Sequence, residues 1–256
     1  MTIELLTVPC LADNYAYLVH DPATGQTAAV DVPEAGPLLT ALAARGWGLT
    51  QILLTHHHDD HIAGVADLVA ATGAQVLGAA ADAHRLPPLD EGLTEASRPT
   101  IGGHAVEVID VPGHTVGHIA FHIPSARLAF TADSLMAAGC GRLFEGTPGQ
   151  MWHSLQRLAA LAPETLICSG HEYTTANIRF ALSLEPDNPK LILRRDKVEA
   201  ARRMGHATVP SLLSEELATN PFLRAGLPQM KACLGMGDAN DLDIFSTIRR
   251  RKDTFR

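Results

Sequence analysis

The 256-residue chain is 46% hydrophobic and 19% charged, a balance that allows a large buried core and excludes an intrinsically disordered protein. Its formal net charge of −8 disfavours nonspecific nucleic-acid binding, and no apolar run approaches the ~18–20 residues needed to span a bilayer. Four scattered cysteines, Cys10, Cys140, Cys168 and Cys233, form no Cys-x-x-Cys pair, which argues against a thiolate zinc site or a dithiol redox centre.

The N-terminal stretch has no basic start and contains Glu4, a poor secretory signal. With reduced thiols, this sets a cytoplasmic location as the expectation. Residues 3–8, 15–19 and 27–30 read as strands separated by turn-forming Asp, Asn and Gly residues. Residues 33–45 read as a helix stopped by Gly46. The short apolar run 51–54 reads as a buried strand that delivers the chain into Thr55-His-His-His-Asp-Asp-His61. Residues 62–72 then read as one helix closed by Gly73. Strands are expected at 75–77, 105–111, 118–123 and 128–130, a helix at 151–161 and a strand at 165–168. Beyond His171 the pattern turns helical, at 173–184 and 191–204, and strand signals nearly vanish. A boundary is therefore expected near residue 172, between a mixed domain at 1–172 and a helical domain at 173–256. Such a mixture predicts layered sheets covered by helices.

Histidine is the unusual count: of thirteen, nine fall between His56 and His122. Imidazole is a common metal ligand and a proton carrier near neutral pH, so the cluster points to metal chemistry. At a strand end, side chains two apart point the same way, so His56 and His58 can approach one ion while His57 points elsewhere. Asp60 and His61 sit where the chain turns into a helix and can face a second ion. Asp60 also suits a plain helix-start role, because exposed amides there favour a carboxylate. His57 and Asp59 read as structural or exposed. The pattern His-x-His-x-Asp-His arises by chance in such a chain on the order of once in five hundred. Three further candidates follow strands: His114 in Val111-Pro-Gly-His-Thr-Val-Gly-His118, Asp133 in Thr131-Ala-Asp-Ser134, and His171 in Cys168-Ser-Gly-His-Glu-Tyr173. His118 reads as a supporting hydrogen-bond partner. Asp31 reads as a brace for the metal loops or as a turn former. Arg249, Arg250, Arg251, Lys252 and Arg256 crowd the C-terminus and, on composition alone, read as a solvated tail.

Together these segments resemble the metallo-β-lactamase superfamily and, more narrowly, the glyoxalase II (hydroxyacylglutathione hydrolase) family. The narrower resemblance rests on Cys140-Gly-Arg-Leu-Phe-Glu-Gly146 and the basic cluster Arg249-Arg-Arg-Lys-Asp253, while Phe130-Thr-Ala-Asp133, Gly170-His-Glu-Tyr-Thr174, Asn220-Pro-Phe-Leu-Arg224 and Asp13-Asn-Tyr15 add to the resemblance as a whole. It covers essentially the whole chain. It implies an α+β protein, a four-layer αβ/βα sandwich with a helical C-terminal domain. It also implies a ligand set: His56, His58 and His114 for one ion, Asp60, His61 and His171 for the other, with Asp133 and a solvent-derived hydroxide bridging both. Two divalent ions, zinc foremost with iron or manganese as alternatives, suit such imidazole and carboxylate ligands. Asp60 and Asp133 would then serve catalysis as well as ligation.

The implied reaction is hydrolysis of an S-(2-hydroxyacyl)glutathione, typified by S-D-lactoylglutathione, to a 2-hydroxy acid and glutathione, as in methylglyoxal detoxification. The resemblance assigns the glutathione half to Arg142, Phe144, Tyr173, Arg249 and Lys252, while Arg250, Arg251 and Arg256 stay solvated. Arg142 and Phe144 depart from the lysine and tyrosine frequent in the family. The first keeps the charge with a planar fork; the second loses a hydroxyl hydrogen bond worth roughly 0.5–1.5 kcal/mol. The expected partner is this small thioester, with no nucleic acid and no membrane, and the protein is expected to be a monomer. Rival readings are a one-iron glutathione-persulfide dioxygenase, a lactonase or β-lactamase of the same superfamily, and a metal-binding protein that kept the fold without catalysis.

Overall fold

A computed structural model describes residues 3–255. The chain forms two compact units, one of Met1–Asp110 and Gly117–Ala132, the other of Val111–Val116 and Asp133–Arg256. Arg256, expected to be solvated, lies outside the described residues.

In the first unit, β1 (Glu4–Cys10), β2 (Asn14–Asp21) and β3 (Gln26–Val30) form an antiparallel meander. α1 (Ala35–Arg45) then crosses to β4 (Gln51–Leu53), which pairs parallel with β3. Its last turn is closed by Gly46 in the left-handed region at φ 67°, which donates its N–H to helix carbonyls. α2 (Asp59–Ile62) and α3 (Val65–Thr72) lead to β5 (Gln75–Ala79) and β6 (Glu91–Leu93), both added parallel. The result is a six-stranded sheet in chain order. Leu18, Ala29 and Ile52 of this sheet, with Leu54 just past β4, pack on Leu38, Leu42, Val65 and Leu68 of the helices. β7 (Thr100–Ile101) and β8 (His104–Ala105) make a small hairpin, and β9 (Glu107–Asp110), β10 (Ile119–Ile123) and β11 (Leu128–Ala132) pair antiparallel.

Two expected elements are divided. The helix expected at 62–72 starts only at Val65, with Ile62 belonging to the end of α2 and Gly64 standing between the two helices. The Gly64 N–H donates to the Val32 carbonyl at 2.9 Å, and a Cβ there would stand 2.5 Å from the Ala35 nitrogen. The turn is pressed against the start of α1, which leaves room only for glycine. The strand expected at 105–111 breaks at Val106, whose N–H turns to the Pro99 carbonyl at 2.9 Å.

In the second unit, β12 (Leu135–Met136) and β13 (Gly139–Cys140) form a tight hairpin. α4 (Pro148–Ala159) begins three residues before its apolar pattern, because Thr147 and Gln150 form a reciprocal cap and Pro148 suits the first turn. β14 (Leu166–Ser169) is followed by α5 (Thr174–Leu184) and α6 (Pro189–Arg203), the latter capped by the Asn188 side chain. β15 (Ser211–Leu212) pairs antiparallel with β14. α7 (Leu213–Thr219), α8 (Pro228–Leu234) and α9 (Asp241–Thr254) complete a nearly all-helical tail. Among the described residues no helix is long and apolar enough to cross a membrane.

Candidate metal centre

The first unit assembles the histidine run around one buried carboxylate. Asp31 follows β3 with φ 57°, a left-handed conformation that aspartate tolerates. Its Oδ1 accepts from the Thr55 N–H at 2.9 Å; its Oδ2 faces the Thr55 hydroxyl and His61 Nδ1, both at 2.8 Å. The network assigns protons from there. A carboxylate only accepts, so His61 carries its proton on Nδ1 and offers the Nε2 lone pair. The Thr55 hydroxyl gives its proton to Asp31 and can therefore only accept from His56 Nδ1, at 3.0 Å. His56 Nε2 is thus also a lone pair, and it lies 3.2 Å from His58 Nδ1. The His56 ring stands 4.3 Å from that of His61. Asp31, His56 and His61 themselves bring donor atoms within 4.8 Å of one another. The oxygens of Asp31 already accept from Thr55 and His61, so its part is to orient imidazoles rather than to take a metal.

Asp60 enters from the first turn of α2, with its side chain 44% exposed and its Oδ2 held by Asn14 Nδ2 at 3.1 Å. The same amide nitrogen donates to the Asp60 carbonyl at 2.9 Å. Asn14 therefore fixes both the turn and the carboxylate, a role the Asp13-Asn-Tyr15 segment concealed. His57 points away to Asp82 Oδ2 at 3.0 Å, and Asp59 is exposed. His118 stacks on His56 with ring centres 4.6 Å apart and places Nδ1 3.1 Å from the Ile119 carbonyl, a supporting position.

The second unit gathers the other three candidates around Asp133, which is 6% exposed. Its Oδ2 lies 3.4 Å from His114 Nε2 and 3.3 Å from His171 Nε2. His114 Nδ1 donates to the Arg142 carbonyl at 2.8 Å, so Nε2 carries the lone pair on the side of Asp133. Gly141 makes this approach possible: a Cβ there would stand 1.9 Å from the Asp133 carbonyl oxygen and 3.0 Å from His114 Nδ1.

The five residues expected to hold glutathione also lie in this unit. Tyr173 is exposed and stacks on His171 at 4.6 Å. Phe144, 61% exposed, meets His114 edge-to-face, with the Arg142 guanidinium 6.0 Å from its ring centre. Arg142 is exposed and lies 3.6 Å from Asp253. Lys252 is half-buried against Phe180 and donates to the Ala176 carbonyl at 3.2 Å. Burial, then the neighbouring Arg249 and Arg179, hold its ammonium down at about 8. Arg249 is buried, with its guanidinium committed to Asp253 and the Cys140 carbonyl. Arg250 and Arg251 are exposed. Burial pushes the Cys140 thiol up to about 11 and raises Cys168 as well, so neither supplies a thiolate nucleophile at neutral pH.

Comparison with known proteins gives this arrangement a family. Residues 13–171 match the model of the metallo-beta-lactamase superfamily, and residues 172–255 that of the hydroxyacylglutathione hydrolase C-terminus. A hydroxyacylglutathione hydrolase of Cereibacter sphaeroides is 67% identical, with 100% of both chains covered. The chain belongs to the hydroxyacylglutathione hydrolase family. Its fold is the metallo-β-lactamase fold with a helical C-terminal region. Among solved structures, the BLEG-1 B3 metallo-beta-lactamase aligns with TM-score 0.67 at 20% identity, covering 86% of this chain and 99% of its own. TTHA1623, solved in a di-iron-bound form, aligns with TM-score 0.62 at 27% identity, covering 86% of this chain and 100% of its own. Family membership and the imidazole–carboxylate clusters together establish a metallohydrolase that binds divalent metal.

Proposed function

We propose that this protein hydrolyses S-(2-hydroxyacyl)glutathione thioesters, with S-D-lactoylglutathione as the type substrate, to a 2-hydroxy acid and glutathione. The observation that carries this is Asp133, a buried carboxylate with one oxygen set against the Nε2 atoms of both His114 and His171. A carboxylate so placed suits a bridge between two ions. In this reading His56, His58 and His114 would hold one ion, Asp60, His61 and His171 would hold the other, and Asp133 would serve both. The donor set fits the group: the lone pairs on Nε2 of His56, His61 and His114 are each fixed by a proton committed elsewhere, and no thiolate is among them. The di-iron form of the neighbouring TTHA1623 supports a pair of ions; zinc, iron and manganese all suit these ligands.

When bound, two such ions supply an acidified water and a Lewis acid for the thioester carbonyl. The remaining work falls to the chain. Asp60, steadied by Asn14, orients the attacking water. The glutathione sulfur, a thiol of pKa ~8.5, leaves without a dedicated general acid. Arg142 and Lys252 offer cations to the glutathione carboxylates, and Tyr173 and Phe144 flank the reacting end. Arg249, tied to Asp253 and to the Cys140 carbonyl, braces the backbone from which Arg142 projects. In this reading residues 1–172 carry the metals and residues 173–256 chiefly the glutathione. The enzyme works as a cytoplasmic monomer in methylglyoxal detoxification, where its free thiols suit a reducing compartment.

The test is glutathione release from a panel of S-acylglutathiones, with elemental analysis of the same preparation. Two metals per chain and turnover of S-D-lactoylglutathione are expected. One iron per chain with oxygen uptake, or turnover of a lactone or lactam with the thioester untouched, would overturn the reading.

A further inference from the structure

The hairpin β12–β13 lies immediately after Asp133 and is wholly buried. Its turn residue Ala138 sits at φ 54°, a left-handed conformation that alanine rarely adopts. Water cannot satisfy its backbone, so each polar group needs a protein partner. The helical tail supplies them. Glu216 Oε2 accepts from the Ala138 N–H at 2.7 Å. Asn177 Nδ2 donates to the Ala137 carbonyl at 3.0 Å. Asn220 Nδ2 donates to the Met136 and Gly139 carbonyls at 3.1 and 2.9 Å. Arg249 Nη1 donates to the Cys140 carbonyl at 2.9 Å.

Glu216 is the hub of this group. It is fully buried, and its charge is met by Arg194, itself 3% exposed. Oε1 accepts from Arg194 and from the Ser211 hydroxyl; Oε2 accepts from the Ala138 N–H and lies 3.1 Å from the Asn220 amide nitrogen. Every neighbour is a donor, which demands a carboxylate.

The hairpin leads directly to the metal candidates. The Gly141 N–H returns to the Ser134 carbonyl at 3.2 Å, closing the loop beside Asp133. The next carbonyl, Arg142, fixes the His114 tautomer. We propose that Glu216, neutralised by Arg194, is a positioning residue for the metal centre: through the hairpin it sets Asp133 and the Arg142 carbonyl that orients His114. This rests on the two-metal reading above but is testable apart from it.

Glu216→Gln is the variant of choice. It keeps the shape, yet turns an NH2 toward an obligate donor whichever way the amide lies: the Arg194 guanidinium on one side, the Ala138 N–H on the other. The first readout needs no metal: ring nitrogen NMR shifts of His114 in the chelated protein. The parent shows a single Nδ1–H tautomer; the variant is expected to show mixed tautomers. The second is metal retained against a competing chelator, expected to fall at least ~10-fold. Leu234→Ala in α8, a buried side chain that makes none of the hairpin's hydrogen bonds, serves as a comparator of lowered thermal midpoint and keeps both readouts. Should Glu216→Gln fail to fold, Asn177→Ala removes one hairpin partner and is expected to give the same two changes more mildly. Parental His114 shifts and parental metal retention in a folded variant would overturn the proposal, as would equal losses in Leu234→Ala. A parent that binds metal but spares thioesters would sink only the substrate reading.

Discussion

Replacing Asp31 by asparagine isolates the link between a buried carboxylate and two imidazoles. The backbone is not at issue, because asparagine tolerates the left-handed φ of 57° as well as aspartate does. The change is confined to one atom. If the amide keeps its oxygen toward the Thr55 N–H, its NH2 faces the Thr55 hydroxyl and His61 Nδ1–H, both now without an acceptor. Hydrogen bonds to a charged partner contribute about 1.5–3 kcal/mol each, so two lost bonds amount to about 3 kcal/mol after the loop relaxes. For a chain of this size that lowers the thermal midpoint by roughly 6–12 °C.

The larger effect falls on the ligands. Released from Asp31, the Thr55 hydroxyl can turn its proton to His56 Nδ1, which moves the imidazole proton to Nε2 and removes a metal lone pair. His61 is free to make the same exchange. Metal affinity is expected to fall about 10- to 100-fold, with thioester turnover following it. The assay compares metal retained after equilibration with a chelator, glutathione release, and the thermal midpoint. A variant with parental metal content and turnover, and a midpoint within about 2 °C, would refute the role given to Asp31.

Chelation should abolish thioester hydrolysis and lower the thermal midpoint, and adding back zinc, iron or manganese should restore both, read by glutathione release and by melting. The apparent KM for S-D-lactoylglutathione should rise as pH passes about 8. Lys252 is held down at about 8 by burial and by Arg249 and Arg179, so its charge is present below that pH and lost above it. Lys252→Arg should flatten the profile, and a KM unchanged between pH 7 and pH 9 in the parent would show that Lys252 does not meet the substrate's carboxylates. Gly141→Ala should cost about 1–3 kcal/mol and weaken metal retention, since its Cβ would overlap the Asp133 carbonyl. Parental melting and metal content in that variant would mean that the loop yields freely.

Periodicity located most helices and strands within a few residues, because one face of each is buried and the pattern records that face. It failed where a backbone contact, not a face, sets the boundary. Gly64 divides one apolar run into α2 and α3 because its Cα presses on the start of α1, and no hydrophobic spacing encodes that. The hairpin β12–β13 gave no strand signal either. Ser134-Leu-Met-Ala-Ala-Gly139 carries no alternation, since both faces are buried and the pairing is held by side chains far along the chain.

The candidate site divides along the same line. Ligand-type residues were legible because histidine and aspartate offer metal-binding lone pairs and here stand clustered at strand ends. The groups that orient them were not, because glutamate, asparagine and threonine are common and act through backbone or through one another. Thr55 heads the histidine run without a ligand's side chain, yet its hydroxyl decides which nitrogen of His56 is protonated. Glu216 belongs to none of the motifs, yet it is fully buried beneath the turn that follows Asp133. A ligand set chosen by residue type alone would predict metal binding in any chain that kept those side chains. Asp31, Thr55 and Glu216 imply otherwise: the same ligands with these three altered should hold metal poorly, because an imidazole with its proton on the inward nitrogen cannot coordinate.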